Sequence, residues 1–174
     1  YRRAKERFPH LRLRILSTQG SYPVNGKVLA EIPADIGFVY YDGEKTYDSS
    51  KSPMIYFLLR EAAADGRAIG VCPQLTVSWA VVCPWSSPQF IRARMTEFAD
   101  KRISLFSGYA TPNLMLYEFA IAASAEWSWN AHGRTEREFA RAFAVRKGLK
   151  DIDAFAAWAV LNGAVSWDVY GSGV

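Results

Sequence analysis

Cysteine and histidine are scarce, two of each in 174 residues. Cys72 and Cys83 form no CxxC motif, neither has a histidine near it in sequence, and His10 and His132 are far apart in the chain. A zinc ribbon or finger is therefore not expected, and two thiols do not make a disulfide framework. No apolar run reaches the about 18 residues that a bilayer span requires, and no signal peptide is legible. Phosphate-cradling glycines are missing too. Gly20, Gly43 and Gly108 are single glycines, with no GxGxxG or GxxxxGK, so a nucleotide cofactor is disfavoured; no other cofactor and no metal is expected. The sequence has no GxSxG, and neither histidine follows a strand end, which disfavours a Ser-His-Asp hydrolase.

Charge of one sign is also in short supply. Lys and Arg number 21 against 17 Asp and Glu, a net charge of +4. The one basic cluster, Arg2, Arg3, Lys5 and Arg7, has no aromatic residues interleaved for stacking. It reads as a solvated helix face, so neither a nucleic acid nor a membrane is expected as partner. The chain starts at Tyr1, already in a helix-like charged stretch, and is expected to be a piece of something longer.

What is abundant is aromatic side chain, 14% of residues and six of them Trp, within a composition that is 50% hydrophobic. Length and composition suit one domain with a real core. Residues 1–8 read as the tail of a surface helix stopped by Pro9. Leu11, Leu13 and Ile15 alternate with Arg12 and Arg14 at strand period. Residues 24–32 suit a short helix ended by Pro33. IGFVYY at 36–41 is a strand apolar on both faces. Pro53 is expected at the first position of a helix that Gly66 stops. Residues 68–72 are a third strand, Pro88 opens the next helix, and 103–106 are a fourth strand. A long apolar helix, expected to open at Pro112, follows and runs to 130. Thr135 and Glu138 have capping-box spacing, and Asp151 or Asp153 caps a last helix carrying Phe155 and Trp158. The tail at Gly171, Ser172 and Gly173 is expected to be loose.

Strand starts lie about 25 to 35 residues apart, the size of βα units. Strands apolar on both faces belong to a parallel sheet covered by helices. The fold class is therefore α/β: four parallel βα units over residues 1–130, then a helical extension, 131–174, packed on them in the same domain.

Ligands of such sheets sit at the C-terminal strand ends. Here those ends carry Thr18 and Gln19, Tyr41 and Asp42, Gln74, and Gly108 with Tyr109. Amide, carboxylate and aromatic groups suit sugars: rings stack on pyranose faces, while amides and carboxylates pair with hydroxyls. Two carboxyls across a glycosidic bond could also hydrolyse it. Asp42 and Glu44 are the only acids beside a strand end. Asp42 is the candidate catalytic or hydroxyl-binding acid, the alternative being a turn in which it bonds its own backbone. Trp79 and Trp85 lie in a proline-flanked loop and are either plugs or ligand platforms. Trp127, Trp129 and Trp158 fall on helices and are expected in the core. Glu126 is expected to face solvent, and Asn130 to belong to the helix C-cap.

The run EFAIAASAEWSWNAHGRTEREFARAFAVRKG resembles the segment that closes the catalytic barrel in several (β/α)8 glycoside hydrolases. These are the β-N-acetylhexosaminidase-like enzymes of families 20 and 84 and bacterial relatives without an assigned substrate. The match rests on Trp129 and Asn130, on the box at 135–138, and on Phe139 and Ala140. ILSTQGSYP, VYYDGEKTYDSS and CPQLTVSW resemble the earlier strand-loop units, so the likeness runs over roughly residues 11–148. It implies strands five to eight of a TIM-like barrel, with the missing N-terminal half of the same chain as partner. In those families an acid pair at the end of strand four assists the substrate's own acetamido group, a position that would precede Tyr1. What this chain would then supply is carbohydrate contact through Tyr41, Asp42 and Tyr109, with Gln19, Gln74 and Trp79. The alternatives are a non-catalytic carbohydrate-binding module and an α/β interaction module.

Overall fold

The computed structural model describes residues 1–42, 53–73, 75, 87–110 and 117–170, the last five without their side chains. Gly43, Glu44, Gln74, Trp79, Cys83, Trp85, Pro112 and the 171–173 tail lie outside the described residues. Four strands form one parallel sheet in the order β1-β2-β3-β4: β1 Arg14–Thr18, β2 Gly37–Tyr41, β3 Ile69–Cys72 and β4 Leu105–Phe106. Seven α-helices accompany them among the described residues: α1 Arg2–Arg7, α2 Asn25–Glu31, α3 Phe57–Ala64, α4 Pro88–Asp100, α5 Glu118–Trp129, α6 Glu136–Arg146 and α7 Ile152–Tyr170. A 3-10 turn, Gln19–Val24, leads from β1 into α2. The chain is α/β, as the strand-helix rhythm indicates. Strand ends differ from the sequence pattern. β1 starts at Arg14, not Leu11, although the Leu13 carbonyl still accepts from Gly37 N at 3.0 Å. β4 has two residues.

Sequential order has a physical consequence. Parallel crossovers are right-handed, so strands added always on the same side send every helix to one face of the sheet. The register places Ile15, Phe38 and Ile69 together, and Tyr40 with Val71, on that face. They join Leu29, Leu59, Phe90, Ile91, Met95 and Phe119 from the helices in one core. The other face aligns Leu16, Val39, Gly70 and Leu105. Leu16 there is 64% exposed. At Gly70 a Cβ would come within 2.7 Å of the Leu105 Cβ, so this strand crossing requires glycine.

One helix start needs correction. Pro53 does not open α3. Helical backbone begins at Phe57, after Tyr56 in extended backbone, and the Met54 and Ile55 amides are bonded to the Glu97 carboxylate of α4. The stop is as expected: Gly66 has φ +85°, in the left-handed region that favours glycine.

The last two helices share the core. Thr135 N donates to Glu138 Oε2 at 2.8 Å, and Glu138 N to Thr135 Oγ1 at 3.3 Å, closing the capping box. Asp151, not Asp153, caps α7 through Ala154 N at 2.9 Å. Phe119 of α5 meets Phe139 and Phe143 of α6 at 5.3 and 5.1 Å. Trp127 is fully buried and donates Nε1–H to the Arg134 carbonyl at 3.0 Å. Trp129 and Trp158 do not share its fate. Trp129 is 90% exposed and Trp158 is also exposed. Two positions on from Trp127, Trp129 sits on a different side of the α5 turn, away from the core. Glu126 pairs with Arg134 at 2.7 Å rather than standing alone in solvent. Asn130 does occupy the C-cap of α5, in extended backbone.

Candidate functional site

A cleft of about 470 Å³ opens at the C-terminal ends of β1 and β2. Gln19 and Tyr22 with Pro23 line it from the 3-10 turn, Tyr40 and Asp42 from β2 and its end, and Pro53, Met54 and Tyr56 from the approach to α3. Its centre is a buried pair. Tyr40 is 2% exposed and donates its phenol hydrogen to Asp42 Oδ2 at 2.8 Å, with Asp42 5% exposed. Strand alternation brings them together, since residues two apart point the same way. Burial first, and the hydrogen bond to the Asp42 carboxylate second, push the Tyr40 phenol far above its ordinary ionisation range. The phenol therefore stays a donor.

Aromatic rings make the walls. Tyr56 lies edge-on to Tyr40, ring centres 5.3 Å apart, and tilts against Tyr22 at 4.7 Å. A polar relay sets these rings. Thr18 N donates to Ser21 Oγ at 3.1 Å, Ser21 Oγ lies 2.9 Å from Asn25 Oδ1, and Asn25 Nδ2 donates to the Tyr56 hydroxyl oxygen at 2.9 Å. Burial raises the Tyr56 phenol as well, against the opposing pull of Asn25. Two buried polar atoms at the end of β1, Ser17 Oγ and Gln19 Oε1, have no hydrogen-bond partner among the described residues. Such orphans are few in folded proteins, and each calls for a water or a ligand.

The expected site residues divide. Gln19 and Asp42 share the cleft. Tyr41 and Tyr109 do not line it; they meet each other, ring centres 5.8 Å apart. The expectation of one shared rim is corrected by strand parity. Tyr41 lies in register with Thr18 and Cys72, on the side of the sheet opposite Tyr40. Tyr109 reaches that side from beyond β4, where its N–H donates to the Pro73 carbonyl at 2.9 Å and its carbonyl accepts from Leu75 N at 2.7 Å. Gln74, Trp79 and Glu44 lie outside the described residues. Sequence reasoning missed Tyr22, Tyr40, Met54 and Tyr56. Only Tyr40 carried a local signal, its two-residue spacing from Asp42.

Chemically, the cleft offers one carboxylate, an amide, three phenol rings and an apolar rim, groups capable of paired hydrogen bonds and ring stacking. Asp42 is the one acid lining it among the described residues, so they do not assemble an acid pair there. No cluster of three or more His, Cys, Asp or Glu capable of holding a metal occurs among the described residues. No protein-family model matches the chain, and no curated protein or solved structure matches it either.

Proposed function

We propose that this chain is the substrate-binding half of a (β/α)8 glycoside hydrolase of β-N-acetylhexosaminidase-like type, holding the sugar without a complete acid pair of its own. The observation that carries the reading is the Tyr40–Asp42 pair buried at the C-terminal strand ends between tyrosine rings. A carboxylate fixed by a phenol accepts from two neighbouring hydroxyls, and aromatic faces take the apolar face of a pyranose. Gln19 Oε1, buried without a partner, supplies a further acceptor for a hydroxyl or acetamido N–H. Sequential parallel strands with helices on one side suit half of a barrel. The exposed Leu16 face then turns to the lumen, with Tyr41 and Tyr109 on that side of the sheet, opposite the Tyr40–Asp42 cleft. The partner in this reading is four further parallel strands, which the family resemblance assigns to the N-terminal half of the same chain.

Titration with N-acetylglucosamine and with neutral sugars, followed by tyrosine and tryptophan fluorescence, tests the reading. A saturable millimolar response that Asp42→Asn abolishes is expected. An equal response in the variant contradicts it.

A non-catalytic carbohydrate-binding module is the second reading, favoured by the lone carboxylate in the cleft. Both readings give no aryl-glycoside turnover by this chain alone: the first places the acid pair upstream, and the second has no chemistry. Turnover abolished by Asp42→Asn would overturn that and make Asp42 catalytic. Turnover gained when a four-stranded N-terminal half is supplied favours the enzyme over the module.

A further inference from the structure

We infer that Glu97, on α4 and outside the cleft, is the positioning residue that fixes the cleft's wall at residues 53–56. Both its oxygens are engaged. Oε1 accepts from Ile55 N at 2.8 Å and Oε2 from Met54 N at 3.1 Å. Arg94 Nη1 donates to Oε2 at 2.7 Å and Lys101 Nζ to Oε1 at 2.8 Å. Lys101 Nζ also donates to the Ile55 carbonyl at 2.9 Å. Arg94, Glu97 and Lys101 are three and four residues apart, so they share one face of α4. That face grips both polar backbone groups of Ile55 and the N–H of Met54.

The grip has a geometric consequence. Helical backbone starts at Phe57, and with those two amides held the segment before it lies across the cleft. Pro53, Met54 and Tyr56 line the cavity while Ile55 is buried behind them. Tyr56 is thereby delivered onto Tyr40, Tyr22 and Asn25. A carboxylate is the group that can do this, because four donors converge on its two oxygens. Gln offers one acceptor oxygen and Asp is one methylene short. The inference rests on the cleft being the ligand site and names what shapes it.

A plainer role, neutralising the buried Arg94, predicts stability effects alone, so the test must separate the two. Arg94→Met/Glu97→Met removes both charges together. Neither member of this pair is then left without the other, the condition under which such pairs are replaced without loss of the fold. In this variant, hydrogen exchange followed by NMR is expected to show the Met54 and Ile55 amides losing protection by about tenfold. The amides of α4 and α5 keep theirs, and N-acetylglucosamine affinity falls. Glu97→Gln, with one acceptor left, is expected to keep protection at only one of the two amides. Unchanged protection at Met54 and Ile55 in the double variant overturns the inference. So does unchanged sugar affinity once that protection is lost. If the wild type binds no sugar and the double variant still loses both protections, the clamp is supported and the sugar reading fails.

Discussion

Replacing Tyr40 by Phe removes a single oxygen from a site that is almost wholly enclosed. The ring keeps its packing against Tyr56 and its place in the core. What disappears is the 2.8 Å hydrogen bond to Asp42 Oδ2. A hydrogen bond to a charged group contributes about 1.5–3 kcal/mol, and a carboxylate buried at this depth recovers little of it from water. Taking about 2 kcal/mol, the melting temperature near pH 7 should fall by roughly 4–8 °C for a chain of this size. The alkaline limb gives a second reading of the same bond. The folded-state phenol ionises above its unfolded value of 10.0, so its stabilisation is complete below about pH 10. Above that the unfolded chain loses a proton that the folded one retains. Stability then falls by about 1.4 kcal/mol per pH unit from this group, and Tyr40→Phe should remove that component while leaving the smaller one from Tyr56. Differential scanning calorimetry between pH 6 and 11 measures both, and a double-mutant cycle with Asp42→Asn isolates the pair at about 1 kcal/mol or more of coupling. A melting temperature unchanged in Tyr40→Phe, with zero coupling, would refute the claim that this phenol holds the carboxylate.

Acid should act through Glu97. Burial pushes its carboxyl up, but Lys101, the Ile55 amide, Arg94 and the Met54 amide together outweigh burial and leave it below the ordinary value of 4.5. Its stabilisation is therefore complete above about pH 4.5 and lost as pH falls through the lower folded value. The Arg94→Met/Glu97→Met variant should flatten the acid limb of the melting curve. Trp127→Ala should cost about 3–5 kcal/mol, since the side chain is fully enclosed and its Nε1–H is bonded to the Arg134 carbonyl. Trp129→Ala, at 90% exposure, should leave urea unfolding of this chain unchanged. Leu16→Lys should likewise be neutral here, yet destabilise a longer protein in which four more strands close over that face. Equal effects in both contexts would argue against a barrel.

The sheet, its parallel sense and the caps were legible because local chemistry set them. Gly66 had to stop a helix, and Thr135 and Glu138 had to start one; strands apolar on both faces did not mean a sheet covered on both, since Leu16 on the second face is 64% exposed. The misreadings arose where distant partners took control. Pro53 looked like a helix start, but the backbone is extended at Tyr56, and the amides of Met54 and Ile55 bond to Glu97, far along the chain. Trp129 looked like core on an almost uniformly apolar helix, where no polar face reveals which side turns inward. The site was half legible. Gln19 and Asp42 sit at strand ends and were found there. Parity separated Tyr41 from Asp42, and the ring walls came from Tyr22 and Tyr56, which no spacing ties to Asp42.

The most direct measurement is a two-dimensional NMR titration of the chain with N-acetylglucosamine, watching the Gln19 side-chain amide and the backbone amides of Tyr40, Asp42 and Tyr56. Shifts concentrated at those four residues, saturating at millimolar sugar and absent in Asp42→Asn, are the predicted result. No shift at any of them, or shifts centred on another face of the molecule, would contradict a sugar site at the ends of β1 and β2.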